Sequence, residues 1–138
     1  MPDVYSHNHM IATIKELYPG ALHGVDFLVG QSLDPSTGEL TGLPWIAAWK
    51  RPEPQPDDEL IHEKFAANEE KFRAVVIREQ RDACLRDSDH RTTIPPDAPA
   101  SARDKAAHWA EYRQKLRDVT DQAGFPLSVE WPKPPMDA

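Results

Sequence analysis

The chain has 138 residues, of which 39% are hydrophobic and 28% are charged, and its formal net charge at pH 7 is −7. A chain of this length forms one domain or two small subdomains. Its acidic balance disfavours contact with a phosphate backbone, so we expect no nucleic-acid partner. The sequence shows neither a long apolar run nor a basic-then-apolar leader, so we expect no membrane span and no secretory export.

The numbers of cysteines and prolines restrict the possible structures in two further ways. Cys84 is the single cysteine, which excludes an internal disulfide and fits a reducing cytosol. We interpret it as a small buried side chain on a helix rather than as a nucleophile. The 14 prolines are about twice the usual share and occur in clusters, so they divide the chain into three segments.

The first segment, residues 1–51, is predicted to be a small α+β subdomain. Its predicted elements are a helix around residues 10–18, ended by Pro19-Gly20, and strands at 25–29 and 45–49 on either side of a turn at 34–38. Trp45 and Trp49 are four residues apart on one strand, which places them on the same face. We therefore expect both to pack against the first helix.

The second segment begins with an extended spacer, Pro52 to Pro56, of polyproline II character. From Asp57 to about Asp87 there is no proline and no glycine, which predicts one helix of about thirty residues, on the order of 45 Å long. Its apolar stripe is narrow, and this favours a helical hairpin or a coiled-coil seam. Asn68 and Glu79 interrupt the stripe, so the oligomeric state is left open.

The third segment is predicted to hold a return helix after the rigid corner Pro95 to Pro99. Ser101 resembles an N-cap, with Asp104 three residues later, and Gly124 resembles the glycine that follows a helix C-terminus. The expected buried face of this helix consists of Ala102, Ala106, Trp109, Tyr112, Leu116 and Val119. Trp109 and Tyr112 are expected to pack against the stretch of the long helix between residues 75 and 84.

The C-terminal tail is extended and rich in proline, so it cannot bury its own apolar side chains. Trp131 must therefore dock on the body of the protein or on a partner. Val129 lies on the same face at period two, so residues 129–131 could add to a sheet edge as a strand. Either this chain's own hairpin or a partner could supply that edge. The predicted fold is α+β and mainly α, with domains at 1–51 and 57–138.

Catalytic signals are few. There is no glycine-rich phosphate loop, no Cys-x-x-Cys pair and no Gly-x-Ser-x-Gly turn, so we expect neither an enzyme nor a cofactor. His7 and His9 could share a metal ion if further ligands completed the site. That would define a metal-dependent hydrolase using His23 and Asp26 as well. The alternative is that Ser6 or Asn8 caps the first helix and both histidines lie in its exposed first turn.

Four blocks in the second half of the chain carry a family resemblance. They are Arg81-Asp82-x-x-Leu85-x-x-Ser88-Asp89, Ile94-Pro95-x-Asp97-Ala98-Pro99, Trp109-x-x-Tyr112-Arg113-x-x-Leu116-Arg117-x-Val119 and Gly124-Phe125-Pro126-x-x-Val129-x-Trp131-Pro132. In this order they resemble the phage tail assembly chaperones and tail fibre assembly proteins, over about residues 78–135. Residues 17–21 and 46–49 resemble related phage proteins more loosely. The chain departs from the family at His90, where the family has a tryptophan, and Ile94 is the nearest substitute for fixing that corner.

The resemblance implies a non-enzymatic chaperone of bacteriophage tail or tail fibre assembly. Such a protein works by protein binding in the host cytoplasm, on a tail fibre or another tail protein, and assists its folding, trimerisation or attachment. The contact residues would be Trp131, Val129 and Phe125, together with Trp109 and Tyr112. The alternative function is a structural tail, baseplate or fibre component that stays in the virion tail.

Overall fold

A computed structural model describes residues 4–136 of the chain. Within that range the fold is α+β and mainly α, as predicted, with four α-helices and one two-stranded antiparallel sheet. The elements in chain order are α1 (His7–Leu17), β1 (Phe27–Gly30), β2 (Trp45–Trp49), α2 (Asp58–Ala67), α3 (Glu69–Ser88), a first 3-10 turn (Asp89–Thr92), α4 (Ala100–Arg117) and a second 3-10 turn (Asp118–Asp121).

The chain forms two compact units, Met1–Val76 and Ile77–Ala138, so α3 contributes to both. The predicted division into residues 1–51 and 57–138 stays a prediction. None of the helices in residues 4–136 is long and apolar enough to span a lipid bilayer.

The first unit is built around a single hydrophobic core. Helix α1 brings Met10 and Ile14 to it, and both are fully buried because they lie one turn apart on the same helix face. Helix α2 supplies Ile61 and Phe65, and the ring of Phe65 stacks on Tyr5 with 4.1 Å between the ring centroids. The other buried members of this core are Ala12, Ala21, Phe27, Ile46, Phe72 and Val76.

A β-bulge determines which way the two strand tryptophans point. Leu28 pairs with Ala48 and Val29 pairs with Ile46, so Ala47 is an extra residue on β2. An extra residue reverses the alternation of side chains along a strand. Trp49 therefore packs on the core side, whereas Trp45 is 40% exposed. The prediction that both tryptophans share one face is wrong.

On each strand of this small sheet one backbone N–H is bonded to a polar side chain. The backbone N–H of Ile46 on β2 donates to the Asp58 carboxylate at 2.9 Å. The backbone N–H of Val29 on β1 donates to Nε2 of His23 at 3.3 Å. Covered N–H groups limit pairing with a further strand.

The predicted thirty-residue helix is interrupted at Asn68. This residue has φ −135° and ψ 37°, which lies outside the helical region, and it separates α2 from α3. Asparagine offers the backbone an alternative hydrogen-bond partner, and here its side chain donates to the Lys64 carbonyl at 3.4 Å. The continuous-helix prediction is therefore wrong at this residue.

The second unit pairs the C-terminal half of α3 with α4. The predicted inner face of α4 is confirmed, since Ala106, Leu116 and Val119 are buried and the remaining predicted members are half-buried. The helix begins earlier than predicted. Pro99 is its N-cap, and the Pro99 carbonyl accepts hydrogen bonds from two amides of the first turn, so Ser101 does not cap it.

Gly124 serves a different purpose from the one predicted. Helix α4 already ends at Arg117, and Gly124 does not have the positive φ of a residue that caps a helix C-terminus. A Cβ at this position would lie 2.7 Å from the Ser128 carbonyl oxygen and 2.5 Å from its hydroxyl oxygen. Glycine is therefore needed for the close approach of residues 124 and 128, where the Gly124 carbonyl accepts from the Ser128 N–H.

Candidate protein-binding site

The corner between α3 and α4 is held by the guanidinium group of Arg113. Its Nη1 donates to the Leu85 carbonyl and, at 2.9 Å, to the Ser88 hydroxyl, while its Nη2 bonds the Asp89 carboxylate at 2.6 Å. Ser88 is buried and donates in turn to the Cys84 carbonyl at 2.7 Å. A cation at a helix C-terminus also offsets the negative end of the helix dipole.

This arrangement explains why the Ser88-Asp89 pair and Arg113 occur together in the sequence. It also shows how the corner is held without the family's tryptophan, because His90, which stands at that position, is exposed on the first 3-10 turn. Ile94, the predicted substitute, is half-buried. Arg113 makes the hydrogen bonds that hold this corner, a function that the sequence did not predict for it.

Trp109 and Tyr112 lie side by side on the exposed side of this corner. Their rings meet edge to face, with 5.6 Å between centroids, and both residues are half-buried. The Arg91 guanidinium lies 4.9 Å from the Trp109 ring centroid, which is within the range of a cation–π contact. Partial burial next to Cys84 raises the pKa of Tyr112. Tyr112 thus packs near Cys84 as predicted, whereas Trp109 lies beside the first 3-10 turn.

The tail is held to the second 3-10 turn by one glutamine. Gln122 Nε2 donates to the Glu130 carbonyl at 2.8 Å, and the Glu130 N–H donates to Gln122 Oε1 at 2.7 Å. Upstream of this contact, the ring of Phe125 lies 5.4 Å from the Arg78 guanidinium. The tail therefore returns along its own helical hairpin.

Beside the tail the surface stays open. One cleft of about 480 Å³ lies between Trp131 and the residues Lys115, Asp118 and Gln122. A second cleft, of about 350 Å³, lies further along the tail, where Pro135 and Met136 approach Tyr112. Val129 and Trp131 are half-buried, and Leu127 is 57% exposed. The predicted contact residues thus lie in one unit, on or beside the same helical hairpin.

The tail is not a strand of this chain's own sheet. Over residues 4–136 the sheet consists of β1 and β2, and residues 127–136 have no regular secondary structure. Pairing of Val129 and Trp131 with a partner's sheet edge stays a prediction.

Of the histidines considered as metal ligands, His9 and His23 are engaged in other contacts, and His7 is exposed at the start of α1. His9 Nδ1 lies 2.6 Å from the Ser6 hydroxyl oxygen, and Ser6 is the N-cap residue of α1. His23 accepts the Val29 N–H, and Asp26 accepts the Leu22 N–H at 2.8 Å. Across residues 4–136, no group of three or more His, Cys, Asp or Glu side chains is arranged to hold a metal ion.

The environment of His9 predicts a loss of stability in acid. Burial against Phe65 and the charge of Arg73 lower its pKa from the ordinary 6.5 to about 4. As the pH falls from 6.5 to about 4, His9 takes up a proton in the unfolded chain before it does so in the folded chain. We expect the free energy of unfolding to fall by about 1–2 kcal/mol between pH 6.5 and 4, a value reduced for solvent screening of a half-exposed ring. Urea unfolding at a series of pH values measures it.

The variant His9→Asn separates this effect from the titration of other groups. The difference between the two stability profiles should grow from pH 4 towards pH 6.5 and stay constant above it. Parallel profiles over the whole range would show that the His9 imidazole has the same pKa in the folded and unfolded chain.

Two family models match adjacent parts of the chain. Residues 74–136 match the model described as phage tail assembly chaperone protein, and residues 10–73 match the model described as XkdW protein. The two matches meet inside α3, three residues from the border between the compact units. No curated protein and no solved structure matches the chain. Residues 74–136, which include Arg113 and the returning tail, thus match the phage tail assembly chaperone family, and residues 10–73 match the XkdW family.

Proposed function

We propose that the protein is a non-enzymatic chaperone that binds a phage tail fibre protein in the host cytoplasm and assists its assembly. The observation that carries this proposal is the family match over residues 74–136, together with the half-buried tail aromatics beside open clefts. Before trimerisation a fibre chain exposes strand edges and apolar surface. A small protein that presents aromatic side chains could cover such surface.

The predicted contact residues are arranged in a way that suits docking. Trp131 and Val129 lie on the tail, and Trp109 and Tyr112 lie on α4, which the Arg113 corner holds in place. Aromatic side chains that are fixed from one side and accessible from the other lose little conformational entropy on binding. We propose that Phe125 positions the start of the tail and that Trp131 provides the largest contact with the client.

Co-expression with the fibre protein of the same phage tests this proposal. The chaperone variant Trp131→Ala should bind the fibre about thirtyfold more weakly, since removing a central interface tryptophan typically costs about 2 kcal/mol. Its own unfolding free energy should change by less than about 1 kcal/mol, because the indole is half-buried. Affinity is measured by isothermal titration calorimetry, and stability by urea unfolding.

Trp45→Ala is the matched control, because it removes an exposed tryptophan from the other unit. It should leave the affinity for the fibre unchanged. Equal losses for the two variants would indicate non-specific contact. If the wild-type protein shows no binding to the fibre, the proposed function is wrong.

A further inference from the structure

The bidentate contact between Gln122 and Glu130 defines the conformation of the tail at that residue. Glu130 uses both its N–H and its C=O on the same side-chain amide, at 2.7 and 2.8 Å. Both groups of one residue can reach one amide only when they point to the same side of the chain. That is the geometry of an extended strand residue. On one edge of the tail, Gln122 therefore makes the hydrogen bonds that a neighbouring strand would make.

The opposite edge of the same segment follows from peptide geometry. The cis peptide in residues 4–136 is Phe125-Pro126, so both peptide bonds of Glu130 are trans. In a trans peptide the C=O and the N–H point in opposite directions. The Val129 C=O and the Trp131 N–H must then point away from Gln122. Neither group makes a hydrogen bond to any other residue in the described range of 4–136.

This open edge contrasts with the edges of the chain's own sheet. There, Asp58 and His23 accept the outward N–H groups of Ile46 and Val29. The tail has one edge bound by a side chain and the other edge without a partner over residues 4–136. The extended segment ends at Trp131, because the ring of Pro132 fixes φ at about −65°, outside the usual range for a strand.

We propose that residues 129–131 pair with an extended strand of the client tail protein. In this arrangement the Val129 C=O accepts from the client backbone and the Trp131 N–H donates to it, while Gln122 occupies the other edge. The partner is thus recognised by its unpaired strand edge, and the Trp131 indole adds apolar contact. This inference rests on the proposed function and specifies the chemistry of the surface recognised.

A second copy of this chain fits the open edge less well. Two tails paired antiparallel would exchange hydrogen bonds between Val129 and Trp131 with Glu130 at the centre. The two Glu130 side chains would then lie directly opposite each other, and like charges in that position are destabilising. A client strand without a carboxylate at that position avoids this repulsion.

Amide hydrogen exchange measured by NMR tests the pairing directly. In the free protein we expect the Glu130 amide to be protected by Gln122 and the Trp131 amide to exchange freely. When the fibre protein is added at saturating concentration, exchange of the Trp131 amide should slow by at least about tenfold, because it gains a hydrogen bond. Exchange of the Glu130 amide should already be slow and should change less.

Two substitutions of Trp131 separate the contribution of its backbone N–H to binding from the contribution of its side chain. Trp131→Ala keeps the N–H and Trp131→Pro removes it, and both lack the indole. The proline variant should bind the fibre about fivefold more weakly than the alanine variant, the equivalent of one hydrogen bond. The residue before a proline favours extended conformations, so Glu130 should keep its contact with Gln122.

The outcomes are distinct. Slowed exchange at Trp131, with weaker binding of the proline variant, supports strand pairing. A fibre that binds while the Trp131 amide still exchanges freely, and that binds both variants equally, overturns the pairing and leaves the proposed function intact. A Trp131 amide that becomes protected through concentration-dependent self-association, measured by sedimentation, means that a second copy is the partner and also overturns the inference. A wild-type protein that does not bind the fibre removes the proposed function and the pairing together.

Discussion

Replacing Arg113 with alanine is expected to lower the free energy of unfolding of the second unit by about 3 kcal/mol. One guanidinium bonds the Leu85 carbonyl, the Ser88 hydroxyl and the Asp89 carboxylate, and the Arg113 side chain is 16% exposed. Hydrogen bonds from charged groups contribute about 1.5–3 kcal/mol each, and their loss leaves partly buried acceptors unpaired. Urea unfolding followed by circular dichroism measures the change.

Two control variants show whether the geometry of the Arg113 contacts causes the expected loss of stability. Arg113→Lys keeps the charge but cannot form the forked contact, so it should recover only part of the loss. Arg117→Ala removes an exposed arginine bonded to Gln114 and should cost less than about 0.5 kcal/mol. Equal stability of the Arg113→Ala and Arg117→Ala variants would refute the proposed importance of the corner.

Replacing Ile61 with alanine should cost about 3–4 kcal/mol in the first unit. Its side chain is fully buried among residues of α1 and α2, and truncation leaves a cavity that the surrounding side chains fill only partially. The neighbouring residue provides the control. Leu60 is 41% exposed, so Leu60→Ala should cost less than about 1 kcal/mol.

Thermal or urea unfolding of the two variants, compared with the wild type, measures this difference. Similar losses for Leu60→Ala and Ile61→Ala would mean that α2 is rotated relative to the arrangement described above. A destabilised Leu60 variant beside a stable Ile61 variant would place the opposite face of α2 in the core.

The sequence predicted the order and type of the main elements, because their signals are local. Strand β2 was predicted at residues 45–49, and the buried face of α4 followed from helical spacing. Two of the errors arose where one residue overrode a periodic pattern. Ala47 reverses the alternation on β2, and Asn68 interrupts a helix that the lack of proline and glycine had suggested was continuous.

The candidate site was predicted less completely. The contact residues named from sequence were apolar and aromatic, and their role in binding stays a prediction. Arg113 was missed because its partners lie on another helix and on the first 3-10 turn, and Gln122 was missed because it bonds backbone groups, and no spacing rule signals either kind of contact. For Arg113 a signal existed, since the Ser88-Asp89 pair and Arg113 both belong to the family pattern.

Quantifying the protein in infected-cell lysate and in purified virions tests the chaperone proposal most directly. Targeted mass spectrometry gives its copy number relative to the fibre protein in both samples. We expect a complex with the fibre in the lysate and no protein in the purified virions, because an assembly chaperone leaves its client. A fixed copy number in the virions would contradict the proposal and show that the protein is a structural component of the tail.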